Sequence, residues 1–462
     1  MPSPLPPALW SDPARRIGAA VALVVVAAIG FGVGYLVYGG SDDGSDAPGP
    51  TSVVVDSNGQ PSAAETGGFP EFATRNTTRI GGADPTAVAA SVALATYPTQ
   101  GGVGAAGAAT IVPADDWQAS IAASPLTADP ISTPILLSGN EMPAPAAAAL
   151  TALAPPGLDD ADGAQAFAVG KVAVPEGLKT TSFTGTDPAD LADQIDQERA
   201  KITGEKDPEH LLVVSSSDSS LAMPAAAWAA RSGDPILFAD GDDVPEGTLN
   251  VIKRHPNTPV FVLGPASAIS DGALKKLGSA TRVGAEDPVE NAIEFAKFTS
   301  GTFGWNINDP GHGFAIASTD RPLDAAAAAP LASTGGTPGP LLLTDDPATV
   351  PPALQSFLSD TQPGFEDDPT RAVFNHVWII GNPEAISVPF QVQVDQLTKL
   401  APVSGSKVPP DFELPEAGGT TTTPEDTTTK PSTDTTEPSG DTPAPSINLD
   451  PGALDELQNG GK

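Results

Sequence analysis

Short apolar runs alternate with polar turns and alanine-rich stretches through the middle of this chain. Residues 313–344 read GFAIASTDRPLDAAAAAPLASTGGTPGPLLLT, in which Phe314–Ala317 predicts a buried strand. Ser318, Thr319 and Asp320 make a polar turn, and the alanines from about Leu323 to Leu331 predict a helix. Gly335, Gly336 and Pro338 end that helix before a second apolar run, Leu341–Leu343. Two continuous apolar runs joined by a helix predict a β-α-β unit whose parallel strands are covered on both faces. The same order occurs at Ala109–Leu137 and at Leu211–Phe238. The pattern therefore predicts an α/β protein of three tandem Rossmann-like repeats, each with a small parallel sheet.

Each repeat opens on an Asp-Pro pair, at Asp84, Asp187 and Asp287, spaced 103 and 100 residues apart. Asp accepts the free amide hydrogen bonds of a helix start, and Pro fits the first helical position without losing a bond. Apolar residues follow at helical spacing, as in Val289, Ala292, Ile293 and Ala296, so these aspartates read as structural helix caps. Each repeat closes on an apolar run and a glycine, at Phe167–Gly170, Val260–Gly264 and Val377–Gly381, with a short helix next, as at Ser270–Leu277. The spacing of the closing glycines, 94 then 117 residues, places insertions around Ser300–Gly313 and Thr361–Thr370. The repeats divide at 74–178, 179–279 and 280–401.

With these features in order, the cassette resembles the cell wall-binding repeat type 2 family of Gram-positive surface proteins. The third copy carries the motifs: Gly284 and Asp287, Asp324, Pro330-Leu331-Ala332, Pro340–Leu343 and Ile379-Ile380-Gly381. The resemblance covers roughly residues 79–400 and implies three repeats packed about a pseudo-threefold axis, retained on the wall by binding anionic polymer. The sequence departs from the family at the residue after each Asp, where Pro85, Pro188 and Pro288 stand in place of the usual Arg. The family Asp of the alanine-rich segment matches only Asp324. In the other copies that place falls near Ala119 and Ala222.

Outside the repeats the composition changes. Residues 1–16 are Pro-rich and end in Arg15-Arg16, and Ile17 to Tyr38 runs 22 residues without a charge. That length spans a bilayer as a helix, and the arginines before it and aspartates after it predict a signal anchor with the N-terminus in the cytoplasm. Gly30 and Gly34 have the spacing of a helix-packing pair, although glycine is common in such helices without dimerisation. Residues 39–73 read as a flexible stalk, and 402–462 as a disordered Thr/Pro/acidic tail with 11 acids against 3 lysines from 401 onward. The bulk of the chain is thus expected outside the cell membrane.

The net charge of −35 argues against nucleic acid as a partner and opposes direct contact with an anionic polymer unless calcium bridges the two. With no cysteine, disulfides and thiolate chemistry are excluded. The histidines His210, His255, His312 and His376 stand at unlike places in the repeats, without metal-ligand spacing, and neither a nucleophile elbow nor a phosphate loop occurs. The candidate ligand-binding residues are those of the polar loops after the first strand of each repeat: Asp115 and Asp116; Ser215, Ser216, Ser217 and Asp218; and Ser318, Thr319, Asp320 and Asp324. Such loops hold ligands in open α/β sheets, and turn and capping chemistry accounts for the same residues. Asp240, Asp242 and Asp243 form the densest acidic loop and the candidate calcium site. These features predict a non-catalytic, membrane-anchored envelope protein placed against cell-wall polymer. A scaffold for other envelope proteins and an envelope glycan hydrolase with paired carboxylates remain alternatives.

Overall fold

The computed structural model describes residues 72–99, 104–185, 187–204, 207–333, 338–366 and 368–403. They fall within one of the chain's two compact units, Met1–Glu413; the other, Leu414–Lys462, lies outside the described residues. The expected membrane anchor at 17–38, the stalk before residue 72 and the tail after residue 403 also lie outside them. Among the described residues, no helix is long and apolar enough to cross a membrane.

The N-terminal elements are β1 (Phe72–Ala73), β2 (Thr77–Ile80) and α1 (Pro85–Thr96). The first cassette follows as β3 (Ala109–Pro113), α2 (Trp117–Ala122), β4 (Ile135–Ser138), α3 (Ala144–Leu153), β5 (Ala166–Val169), β6 (Thr180–Phe183) and α4 (Pro188–Thr203). The second is β7 (Leu211–Ser215), α5 (Ser219–Ala222), α6 (Pro224–Ser232), β8 (Ile236–Ala239), α7 (Glu246–Arg254), β9 (Val260–Leu263), α8 (Asp271–Lys276), β10 (Ala280–Val283) and α9 (Pro288–Lys297). The third is β11 (Gly313–Ser318), α10 (Leu323–Ala328), α11 (Pro330–Ser333), β12 (Leu341–Thr344), α12 (Pro352–Asp360), β13 (Gly364–Phe365), β14 (His376–Ile380), α13 (Val388–Thr398) and β15 (Ala401–Pro402). The long helix expected in the third cassette is split where Pro330, which cannot donate a backbone hydrogen bond, starts a new turn.

Three four-stranded parallel arrays result, ordered β4-β3-β5-β6, β8-β7-β9-β10 and β12-β11-β14-β2, with β1 added antiparallel outside β2, and β13 and β15 form a small parallel pair of their own. The first strand of each cassette, β3, β7 and β11, is buried along its whole length, as a strand covered on both faces must be. The sequence division at 178/179 separates β6 from the sheet it completes, and the division at 279/280 does the same to β10. The strand before each Asp-Pro pair therefore belongs with the preceding cassette. For the first pair that cassette is the last in the chain: Thr77–Ile80 pairs with Val377–Ile380. The chain closes on itself.

Helix contacts repeat the same cycle. Helix α4 packs on α2 of its own module and on α7 and β8 of the next; α9 packs on α5 and then on α12 and β12. Helix α1 completes the ring, touching α10 of the third module and α3 and β4 of the first. At the centre α2 touches β8, α6 touches β12 and α10 touches β4. Alanine makes this possible, since its short side chain lets helices approach closely; Ala325–Ala329 are all buried.

Candidate functional site

The sheet geometry carries the polar loops to the carboxyl ends of β3, β7 and β11, where strands hand over to helices that start with free amides. In the second module two predicted loops meet. Ser217 Oγ donates to Asp240 Oδ1 at 2.6 Å, which ties the loop after β7 to the acidic loop after β8. Ser215 Oγ accepts from the Ser217 and Asp218 amides at 3.2 and 3.0 Å, and Asp218 caps α5 through the Ser220 and Leu221 amides. Ser216 takes the Ala239 carbonyl, and its own carbonyl accepts from Gln118 of the first module. Within the acidic loop, Asp240 and Asp243 exchange backbone hydrogen bonds and Asp242 receives Ser270 Oγ. The carboxylates of Asp240 and Asp242 thus turn to separate partners. Among the described residues no three acidic or histidine side chains are placed to hold one metal ion.

The third module differs in having a charged pair buried beside its polar loop. Arg321 donates Nε to Asp324 Oδ2 at 2.6 Å and Nη2 to Oδ1 at 3.2 Å, and Asp324 is fully buried. Burial pushes the Asp324 carboxyl above its ordinary range, the Arg321 guanidinium opposes that rise, and the Asp84 carboxylate adds to it. Asp84 belongs to the cap of α1, which reaches this module only because the ring closes. Ser318 is buried and accepts from the Asp320 amide, Thr319 donates its amide to Thr344, and Asp320 is exposed. In the first module Asp116 caps α2 through the Ala119 amide, and Asp115 is exposed. The structure does not bring Asp115 or Asp116 to the other candidate loops by any hydrogen bond. Asp84, Asp187 and Asp287 each accept amides at the starts of α1, α4 and α9.

Several polar clusters escape a reading of the sequence. His210 Nδ1 meets Asp234 Oδ2 at 3.0 Å, Trp228 Nε1 donates to that same oxygen at 2.9 Å, and Thr302 Oγ1 lies 3.0 Å from His210 Nε2. Beside it Phe303 stacks on Phe261 at 3.7 Å, so the insertion after α9 is fastened to the second sheet. His255 is buried between Asp196 and Asp207, at 3.0 and 2.8 Å, while Arg254 pairs with Asp193 and Asp196. The His255 cluster joins α4 to the second module through Asp193 and Asp196. His210 and His255 looked scattered because their partners lie 24 to 92 residues away. Only the insertion around 300–313 was marked by spacing.

A cleft of about 480 Å³ lies at this junction, lined by Asp129, Asp196, Arg199, Ala200, Thr203, Asp207, Pro208, Glu209, Ser232, Gly233 and Asp234. It is remote in sequence from the predicted loops, and its two buried carboxylates, Asp196 and Asp234, are held by hydrogen bonds.

No protein-family model matches this chain. No curated protein matches it either. In three dimensions it resembles Cwp8 from Clostridium difficile, with a TM-score of 0.53 and 17% identity over 70% of this chain and 52% of that one. It resembles Cwp6 from the same organism to the same TM-score of 0.53, at 18% identity, over 70% of this chain and 47% of that one. The matched part thus spans about half the length of those chains. At such identity the likeness is one of fold.

Proposed function

We propose that this chain is a non-catalytic protein of the cell envelope whose three-module body is held against cell-wall polymer. The cassette's resemblance to the cell wall-binding repeat type 2 family, joined to a fold like that of Cwp8 and Cwp6, is the observation that carries this reading. Chemistry within the body is consistent with it. The loops at the carboxyl ends of the strands expose Asp115, Ser217, Asp240, Asp242, Asp243 and Asp320, while the buried acids are spent on Arg321, Arg254 and the histidines. Sugar hydroxyls suit such surfaces, since each can donate to a carboxylate and accept from a serine hydroxyl. The net charge of −35 opposes an anionic polymer, and a bridging calcium at the Asp240–Asp243 loop would have to draw the Asp240 and Asp242 carboxylates away from Ser217 and Ser270. Membrane anchoring through residues 17–38 would fix the body at the inner side of the wall.

The reading is tested by titrating the protein with solubilised wall glycan and following backbone amide resonances. Shifts confined to Ser216–Asp218, Asp240–Asp243 and Thr319–Asp320 support it. Shifts at the cleft beside Asp196 and Asp234, with release of reducing ends, would favour a hydrolase.

A further inference from the structure

One chain of hydrogen bonds in the second module ends on an exposed hydroxyl. His210 precedes β7, Asp234 precedes β8 and Trp228 stands on α6, and all three are buried. Asp234 Oδ1 accepts the His210 amide at 2.9 Å, while its Oδ2 accepts the Trp228 indole at 2.9 Å and faces His210 Nδ1 at 3.0 Å. An amide and an indole only donate, so both carboxylate oxygens act as acceptors and His210 Nδ1 supplies the third proton. In the neutral ring the lone pair is then on Nε2, which lies 3.0 Å from Thr302 Oγ1. The Thr302 hydroxyl therefore donates to His210. Phe261, Phe303 and Trp228 pack around the imidazole, with ring centres 5.7, 5.3 and 6.4 Å away, and hold its orientation.

Thr302 itself is exposed, in a turn that Ser300 and Phe303 close with reciprocal backbone hydrogen bonds of 2.8 and 3.1 Å. Between them the Gly301 and Thr302 amides bond to no other described group, and a Cβ on Gly301 would meet nothing within 4 Å. A hydroxyl, a base behind it, a carboxylate behind the base and two open amides on the hydroxyl's own turn are the parts of an activated oxygen nucleophile. Fastening the insertion does not require them, since Phe303 stacked on Phe261 at 3.7 Å already does so.

We propose that Thr302 is a site of covalent acylation, its hydroxyl activated by His210 and its acyl group drawn from an ester. Thr302 Oγ1 forms the new bond to the ester carbonyl carbon while its proton passes to His210 Nε2. The ester C–O bond then breaks, and the same proton leaves on the departing alcohol. Asp234 touches neither reactant and is a positioning residue, holding Nε2 toward Thr302. The cleft beside Asp234 does not include Thr302, and the turn faces open space, so the expected event is one modification of the chain and not turnover. This inference does not rest on placement of the body against wall polymer.

The probe is p-nitrophenyl acetate, an activated ester, added to the folded full chain and to the same chain in denaturant, with acetylated peptides located by mass spectrometry. Thr302 should acquire an acetyl group about 100-fold faster in the folded chain, the lower end of what a positioned base supplies. Thr302→Ser should keep the label. Thr302→Val should abolish it with the fold retained by circular dichroism and the lysine labels unchanged. Nitrogen NMR of the His210 ring should show a protonated Nδ1 and a bare Nε2, a state that a hydroxyl accepting from the ring would reverse. Absence of acetyl at Thr302, equal rates in the folded and denatured chains, or a neutral ring with its proton on Nε2 would each overturn the proposal.

Discussion

The Arg321–Asp324 pair shows how one charge is tolerated in a core built of alanine. Near the matching places in the other modules stand Ala119 and Ala222, both fully buried, and neither module carries a buried charge there. Removing Arg321 would leave a carboxylate buried without its partner, so Arg321→Ala should cost about 3 kcal/mol near neutral pH. Its pH dependence follows from the raised Asp324 carboxyl. An acid whose folded pKa lies above its unfolded one adds stability that is complete below the unfolded value and lost as pH rises through the folded one. The cost of Arg321→Ala should therefore be smallest below about pH 4 and grow upward, which melting curves across pH will show. His376 has the opposite sign. Burial pushes it down to about 4, so the unfolded chain takes up its proton first and stability falls as pH drops from 6.5. Its Nε2 has no hydrogen-bond partner. His376→Phe should remove about 3 kcal/mol of acid sensitivity between those values, measured by denaturant titration.

At the scale of elements, the modules are joined by close helix approaches rather than by large side chains. A Cβ on Gly247 would sit 2.5 Å from the carbonyl carbon and oxygen of Ala189, so α7 meets α4 backbone to backbone. Gly247→Ala should force these helices apart and destabilise the protein by about 1–3 kcal/mol, in spite of alanine's better helix propensity. Calorimetry decides it: a higher melting temperature would mean that propensity wins and that the crossing is looser. The neighbouring cluster of Asp193, Asp196, Arg254 and His255 fastens the same crossing with charge.

For the described body as a whole the governing feature is closure of the ring by β2. Deleting residues 72–80 should strip Arg79 from Gln391 and Gly381 and leave β14 as an unprotected edge. Hydrogen exchange should then quicken at Val377–Ile380 while β7 and β9 keep their protection. Uniform protection would contradict closure. The sequence shows the strands and caps because each is a local signal, apolar runs for burial and Asp-Pro for helix starts. It does not show that Thr77–Ile80 belongs to the third sheet, since TTRI carries no mark of a partner some 300 residues away. Arg79 even argues against a buried strand until Gln391 and the Gly381 and Ser387 carbonyls are seen around it. The candidate loops were legible as Ser/Asp turns, yet the Ser217–Asp240 contact and the Arg321–Asp324 pair are products of packing.

The most direct test of the functional account is sedimentation of the purified protein with isolated cell walls, with and without calcium and at two salt concentrations. The account predicts that the protein enters the wall pellet, with a bound fraction that depends on calcium or falls as salt rises. A protein that stays in the supernatant under every condition would contradict it.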